Sequence, residues 1–296
     1  MAPSSKDRRE QAKAAADALR AKQAKAAQRQ RTIAIVSLVV GIVVVVSLVL
    51  VILNNGTSAA PAAQVTPTVA TGHGGIVFDR SGLVTPPDGA GAAAPGASPS
   101  SGVTLGPAGL TSDWPQNGDF AGNPVVVSVY FDPMCPYCGH FEQQSGKLLD
   151  QLRASGEIVI DSHPLSFLDR SSAGTNYSTR VANAAWTLAE KAPDAYFGFL
   201  EGVFADGVQP QEGTAGLTDD QIAQIALSAG APKDVVDTFT DGTYTWWVAQ
   251  ATDIASQDLG SIATPDVMLN GVSISKTVDI YDPTALKAAI DAAAKG

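Results

Sequence analysis

The run Val125–Phe131 carries no charged residue, and all of its residues except Ser128 are β-branched or aromatic. Such a run is typical of a strand that lies inside a sheet and is buried on both faces. Helical spacing follows over residues 135–154, and a second apolar run follows over 157–161. Strand, helix and strand in this order predict a crossover unit of parallel strands, and therefore the α/β fold class.

The region after this unit, residues 175–259, has a helical pattern without a strand signal. We predict helices at Arg180–Ala192, Ala195–Phe204, Thr218–Ala229, Lys233–Phe239 and Tyr244–Leu259. We expect their tryptophans, Trp186, Trp246 and Trp247, to pack between these helices and the sheet. Residues 265–274 read as a β-hairpin with Asn270-Gly271 at its turn, and a last helix is predicted over 282–294.

The N-terminal part of the chain contains an uncharged apolar block, Ile33–Leu53, which is 21 residues long. That length matches the thickness of a bilayer and predicts a single transmembrane helix. A buried core helix or a cleaved signal peptide are the alternatives, but both fit the length and the long basic leader less well. Residues 1–31 carry nine Lys or Arg and three Asp or Glu. The positive-inside bias therefore predicts a cytoplasmic basic tail (1–32) and an extracytoplasmic C-terminal part.

Beyond the apolar block, residues 54–117 are rich in Ala, Gly and Pro and predict a tether, with a short strand at 75–79. We expect one folded domain over 118–296. Because the whole chain carries a net charge of −10 and residues 1–31 carry +6, the remainder carries −16. This acidity argues against nucleic acid as a partner of the domain.

Two cysteines, Cys135 and Cys138, are the only ones in the chain. They lie too close together to link distant segments, which excludes a disulfide-stapled scaffold. An inert local disulfide, or a zinc site completed by His140 and His163, are alternatives to a redox pair. Because zinc would need two further ligands from distant positions, the pattern favours redox chemistry with no metal.

The two cysteines lie at the start of the predicted helix. Unpaired N–H groups and the helix dipole favour a thiolate at Cys135, the residue nearer the N-terminus. Cys138 lies on the same face, at a separation that a disulfide tolerates. We therefore assign Cys135 as the exposed nucleophile and Cys138 as the more buried resolving thiol. Pro136 suits the first helical turn, and Tyr137 is exposed by its position.

The segment Phe131-Asp132-Pro133-Met134-Cys135-Pro136-Tyr137-Cys138-Gly139-His140-Phe141 resembles the active-site segment of DsbA-like proteins of the thioredoxin superfamily. The Pro-Tyr dipeptide is similar to that of glutaredoxins. Thr264-Pro265, just before the hairpin, resembles the superfamily's cis-proline, which faces the cysteines. The resemblance covers 118–296 and implies a thioredoxin-like fold with a helical insertion at about 175–259. Asp132 and His140 are candidates for minor roles in the site. The alternative for Asp132 is a turn residue that ends the strand, and the alternative for His140 is a residue that faces solvent.

The resemblance and the charge pattern together predict a membrane-anchored, extracytoplasmic thiol-disulfide oxidoreductase that oxidises cysteines of exported proteins. The resemblance implies a membrane redox partner, which is either a quinone-linked oxidase or a transmembrane electron donor, and it implies no organic cofactor. A reductase or isomerase using the same cysteines is one alternative. A non-catalytic binding or chaperone-like module is the other.

Overall fold

The computed structural model describes residues 64–86 and 123–295. The predicted basic tail (1–32) and the predicted membrane span (33–53) lie outside these ranges, as does much of the predicted tether. Within the two described ranges, no helix combines the length and the apolar character needed to cross a bilayer.

A six-stranded sheet forms the centre of the domain. Its strands are β1 (Ile76–Asp79), β2 (Gly82–Val84), β3 (Val125–Phe131), β4 (Ile158–Pro164), β5 (Asp266–Leu269) and β6 (Val272–Ser273). The spatial order is β2-β1-β4-β3-β5-β6. β3 pairs in parallel with β4 and antiparallel with β5, whereas β1 pairs antiparallel with both β2 and β4. The predicted α/β class and central strand are therefore confirmed.

The predicted strand at 157–161 is present, but β4 continues to Pro164. Its added polar residues are buried, which the apolar pattern does not anticipate. They are tolerated because they have internal partners. Ser162 Oγ and Tyr196 Oη form a hydrogen bond of 2.8 Å, and His163 Nε2 lies 2.8 Å from Asp161 Oδ2.

The helix between the parallel strands is continuous but has a wide turn in its middle. It consists of α1 (Pro136–Phe141), a π-helical turn (Glu142–Gly146) and α2 (Lys147–Ser155). The helix ends at Gly156, whose φ of 83° is the left-handed conformation that favours glycine. Its position agrees with the predicted helix over 135–154, while the π-helical turn is new.

The five predicted helices of the insertion are all present. They are α3 (Tyr177–Lys191), α4 (Tyr196–Val203), α5 (Asp219–Ser228), α6 (Lys233–Val236) and α7 (Thr245–Leu259). Trp186 of α3 and Trp247 of α7 are fully buried and pack edge to face, with ring centroids 5.9 Å apart. The predicted packing role of these two tryptophans is confirmed. Trp246 is only partly buried and packs at the margin of the core.

The hairpin of β5 and β6 turns at Asn270-Gly271, as predicted, and both residues have positive φ. The Asn270 side chain accepts a hydrogen bond of 2.9 Å from the Val126 N–H, which ties the turn to β3. The last helix, α8 (Pro283–Ala293), buries Leu286 and Ile290 against the core. The Thr264–Pro265 peptide bond before the hairpin is cis.

Residues 64–86 are packed as part of the domain, although their composition predicted a tether. The strand predicted at 75–79 is present as β1, which lies between β4 and β2 in the sheet. Ile76, Val77 and Phe78 are all at most 1% exposed. The contacts of this segment are long-range, because the Thr68 N–H and hydroxyl donate to the carboxylate of Glu190. A few strongly apolar residues therefore outweigh the Gly- and Thr-rich surroundings.

Candidate active site

The turn between β3 and α1 places Cys135 at the helix start. The Cys135 N–H donates to the Asp132 carbonyl at 3.0 Å, and the Met134 N–H donates to Asp132 Oδ1 at 2.9 Å. Cys135 is the N-cap of α1, with extended backbone angles, and Pro136 occupies the first turn. The first turn of the helix therefore directs the backbone N–H groups of Tyr137 and Cys138 towards the Cys135 sulfur, as its position at the helix start predicts.

The Cys135 thiol has a pKa lowered from 9.0 to about 6. The largest cause is a hydrogen bond from the Cys138 thiol, and Thr264 and the backbone N–H groups of Cys138 and Tyr137 add to it. Burial of the thiol acts in the opposite direction, because it raises the pKa of Cys135. At neutral pH the thiolate therefore predominates, and the thiolate is the nucleophile in disulfide exchange.

The Cys138 thiol has a pKa well above 9.0, mainly because it is buried, and the neighbouring Cys135 adds to the shift. Cys138 is 1% exposed and Cys135 is 5% exposed. The expectation of an exposed Cys135 is therefore wrong, because the turn at Thr264 covers its sulfur, although Cys138 is the more buried of the two as expected. Both are free thiols in this structure.

The Thr264–Pro265 turn lies beside the cysteines in the fold, although it is far from them in the sequence. Cys135 Sγ lies 3.3 Å from the Thr264 carbonyl oxygen, to which the thiol donates when it is protonated. Pro265 is buried, and β5 starts directly after it. The structure therefore brings together the two cysteines and the cis-proline turn.

The outer side of the site is aromatic. Tyr137 is 65% exposed and Pro136 is also exposed. His140 is exposed and packs on Tyr281, with ring centroids 5.0 Å apart. Burial raises the pKa of Tyr281, and the charges of Cys138 and Cys135 raise it further, so the phenol lies close to the thiols. The sequence pattern gave no signal for Tyr281, which follows the hairpin.

Asp132 is completely buried. Its carboxylate accepts from Ser178 Oγ at 2.5 Å and from the Leu168 N–H at 2.9 Å, in addition to Met134. Burial raises the pKa of Asp132 to about 7, against the lowering effect of these hydrogen bonds. These partners lie on the active-site turn (Met134), in the loop after β4 (Leu168) and in the insertion (Ser178), so Asp132 connects all three.

Gln209 of the insertion is a second contact that sequence reasoning missed. Its Nε2 donates to the carbonyl oxygens of Cys135 at 2.8 Å and of Pro133 at 3.2 Å. A Cβ added at Gly139 would overlap the Gln209 side chain, so a glycine after Cys138 leaves room for this contact. The insertion therefore holds the backbone of the active-site turn at two points.

The zinc alternative needed His140 and His163 beside the cysteines. His163 is buried beside Asp161 and stacks on Tyr130, with ring centroids 3.9 Å apart. In the described part of the chain, no group of three or more His, Cys, Asp or Glu is arranged to hold a metal ion. The geometry instead provides one activated and one protonated thiol, which is the arrangement that disulfide exchange needs.

The chain is similar to known proteins with a thioredoxin-like domain. A family model described as Thioredoxin matches residues 120–292. The solved structure of oxidised DsbA from Mycobacterium tuberculosis is similar, with a TM-score of 0.51 and 29% sequence identity over 58% of this chain and 84% of that one. Oxidised BdbD from Bacillus subtilis, with a TM-score of 0.50 and 22% identity over 60% of this chain and 90% of that one, supports the fold.

Among curated proteins, the serine/threonine-protein kinase PknE of Mycobacterium tuberculosis is 31% identical over 131 residues. The matched part is 43% of this chain and 23% of the kinase. The chain therefore matches less than a quarter of the length of this relative.

Proposed function

Since the chain belongs to the thioredoxin family, we propose that it is an extracytoplasmic oxidase that introduces disulfides into exported proteins through Cys135 and Cys138. The likeness to DsbA supports the coarser statement that it is a protein thiol-disulfide oxidoreductase. The observation that carries the proposal is the difference between the thiols: the pKa is about 6 for Cys135 and well above 9.0 for Cys138.

The oxidising reaction starts from the Cys135–Cys138 disulfide. A substrate thiolate attacks the Cys135 sulfur, and Cys138 leaves as a thiolate that takes up a proton. A second substrate thiolate then attacks the substrate sulfur of the mixed disulfide, and Cys135 leaves as a stable thiolate. Two substrate thiols thus become one disulfide, and the enzyme gains two electrons. A membrane partner that passes these electrons to a quinone would restore the disulfide.

We infer the direction of electron flow from the pKa of the leaving thiol. A thiol with a lower pKa leaves faster and stabilises the reduced enzyme, which makes the disulfide more oxidising. The pKa of about 6 for Cys135 therefore favours oxidation of substrates over their reduction. A reductase or isomerase would use the same two thiols with electrons supplied by a transmembrane donor.

Membrane attachment is part of the proposal. The uncharged block 33–53 and the basic residues before it support a single-pass anchor in the lipid bilayer, with a cytoplasmic N-terminus. Alkylation with a membrane-impermeant maleimide tests the orientation in a chain that carries one cysteine introduced in the tail and serine in place of both Cys135 and Cys138. Labelling before cell lysis would contradict it.

A non-catalytic binding module is the second candidate. The match to one part of a protein kinase favours it, because that relative carries such a segment within a signalling protein. An assay for oxidation of a reduced, unfolded substrate distinguishes the enzyme from the binding module. The enzyme must lose activity in Cys135→Ser and must accumulate mixed disulfides in Cys138→Ser. A binding module would retain a partner in both variants and would not turn over.

A further inference from the structure

A short segment of the insertion, Phe204–Gln209, lies against the active-site turn and starts directly after α4. The ring of Phe204 is buried and packs edge to face on Phe131 at the end of β3, with ring centroids 5.8 Å apart. The Phe204 carbonyl oxygen accepts a hydrogen bond of 2.7 Å from Gln143 Nε2 of the active-site helix. Two independent contacts therefore fix the start of this segment.

Gln209 ends the segment and reaches the backbone on both sides of the nucleophile. Its Nε2 carries two hydrogens, and it donates to the Pro133 carbonyl at 3.2 Å and to the Cys135 carbonyl at 2.8 Å. The Gln209 N–H donates to the Ala205 carbonyl at 3.2 Å, so the residue is itself held by a turn. A Cβ at Gly139 would overlap the Gln209 amide, and the glycine therefore allows its close approach.

The bond to the Cys135 carbonyl acts on the geometry of the nucleophile. This carbonyl belongs to the peptide group between Cys135 and Pro136, so its direction is linked to the ψ of Cys135, which is 116°. With this extended angle, the N–H groups of Tyr137 and Cys138 point at the Cys135 sulfur. Pro136 has no N–H group of its own. A change of ψ would therefore turn the available donors away from the sulfur.

The two hydrogen bonds of Gln209 also act on the charge near the sulfur. Carbonyl oxygens carry partial negative charge, which disfavours a thiolate beside them. The amide hydrogens of Gln209 offset part of this charge at Pro133 and Cys135. The Gln209 side chain does not titrate, so its effect is the same at every pH. Geometry and charge thus both favour the Cys135 thiolate over the thiol.

We propose that Gln209 is a positioning residue through which the helical insertion sets the reactivity of Cys135. The inference rests on the proposed function and deepens it, because it names the element that prepares the nucleophile. Gln209 acts through the backbone of the turn. In the oxidising reaction, a more stable Cys135 thiolate is the better leaving group in the second step. Loss of the Gln209 bonds should therefore make the Cys135–Cys138 disulfide less oxidising.

The pH dependence of Cys135 alkylation by iodoacetamide measures this role in the reduced, full-length chain. Gln209→Met keeps the length of the side chain and removes the donor. A neutral hydrogen bond contributes a factor of about five to an equilibrium, so the midpoint should rise from near pH 6 by about 0.5–1 unit. The equilibrium constant for reduction of the disulfide by glutathione at about pH 7 should fall about three- to fivefold for the same reason.

Gln209→Glu and Gln143→Met complete the set of variants. In Gln209→Glu a carboxylate replaces the donor beside two carbonyl oxygens, so the midpoint should rise further than in Gln209→Met. Gln143→Met is the matched control, because it loses a hydrogen bond across the same interface and leaves both bonds to the active-site turn in place. It should lower the free energy of unfolding, as Gln209→Met does, and leave the midpoint unchanged.

An unchanged midpoint in Gln209→Met would overturn the proposal. An equal shift in Gln143→Met would also overturn it, because docking of the insertion as a whole would then determine the midpoint. If Gln209→Met does not fold, an unchanged or lower midpoint in Gln209→Glu would have the same meaning. If the unmodified chain does not oxidise a reduced substrate, only the proposed oxidase is contradicted, since the midpoints are measured without substrate.

Discussion

Replacement of Cys138 by alanine should raise the pKa of the Cys135 thiol. The hydrogen bond from Cys138 is the largest cause of the shift from 9.0 to about 6. One pKa unit corresponds to about 1.4 kcal/mol, so the full shift amounts to at most about 4 kcal/mol. Cys138→Ala should remove the largest share of it, and Cys138→Ser should remove less because a hydroxyl still donates.

The sign of the linked stability follows from the direction of the shift. The folded pKa of Cys135 is below its unfolded value, so the thiolate stabilises the reduced form fully above about pH 9 and the effect is lost as pH falls through about 6. At about pH 7 the contribution is about 1.4 kcal/mol. Burial raises the pKa of Cys138, which opposes the gain only above about pH 9.

The assay is the rate of alkylation of Cys135 by iodoacetamide as a function of pH. The rate follows the thiolate fraction, so its midpoint should lie near pH 6 in the reduced protein and at a higher pH in Cys138→Ala. Cys138→Ser should lie between the two and serves as the matched control. A midpoint that stays the same or falls in Cys138→Ala would refute the reasoning that Cys138 stabilises the thiolate.

Three further changes test contacts that hold the site. Asp132→Ala should lower the free energy of unfolding by about 3–5 kcal/mol, because buried donors lose their acceptor. Urea denaturation measures this free energy, and a loss below about 1 kcal/mol would contradict the prediction. Gly139→Ala should displace the end of the Gln209 side chain and lower the free energy of unfolding by about 1–3 kcal/mol, because two hydrogen bonds of Gln209 are lost. In a Gln209→Ala background the same change should cost clearly less, and an equal cost would argue against that overlap. Trp186→Ala should lower the free energy of unfolding by about 3–5 kcal/mol, and Trp246→Ala should lower it clearly less, because Trp246 is only partly buried. Equal losses for the two variants would contradict this prediction.

The local motifs were readable because each depends on neighbours in the sequence. An uncharged β-branched run predicts β3, and Asn270-Gly271 predicts the hairpin turn from the positive φ that both residues adopt. The position of Cys135 at the helix start follows from the same kind of local spacing. Fold class, cysteine positions and the helices of the insertion were therefore predictable from the sequence.

The remaining parts depend on contacts between distant segments. Tyr281 and Gln209 reach the site only through the folded insertion and the C-terminal segment, and neither stands in a motif. The polar end of β4 is buried because Ser162 meets Tyr196, a pairing that periodicity does not report. In the same way, β1 owes its inner place in the sheet to pairing with β4, while the residues around β1 resemble a linker in composition.

The reduction potential of the Cys135–Cys138 pair tests the central claim most directly. A thiol pKa near 7 accompanies about −270 mV in thioredoxin, and a pKa near 3.5 accompanies about −120 mV in DsbA. The pKa of about 6 for Cys135 lies between these two values, so we expect a potential between those of thioredoxin and DsbA. Equilibration of the full-length chain with glutathione buffers, followed by trapping of free thiols, measures this value. A potential less negative than that of thioredoxin agrees with an oxidase, and one at or below about −270 mV would contradict it.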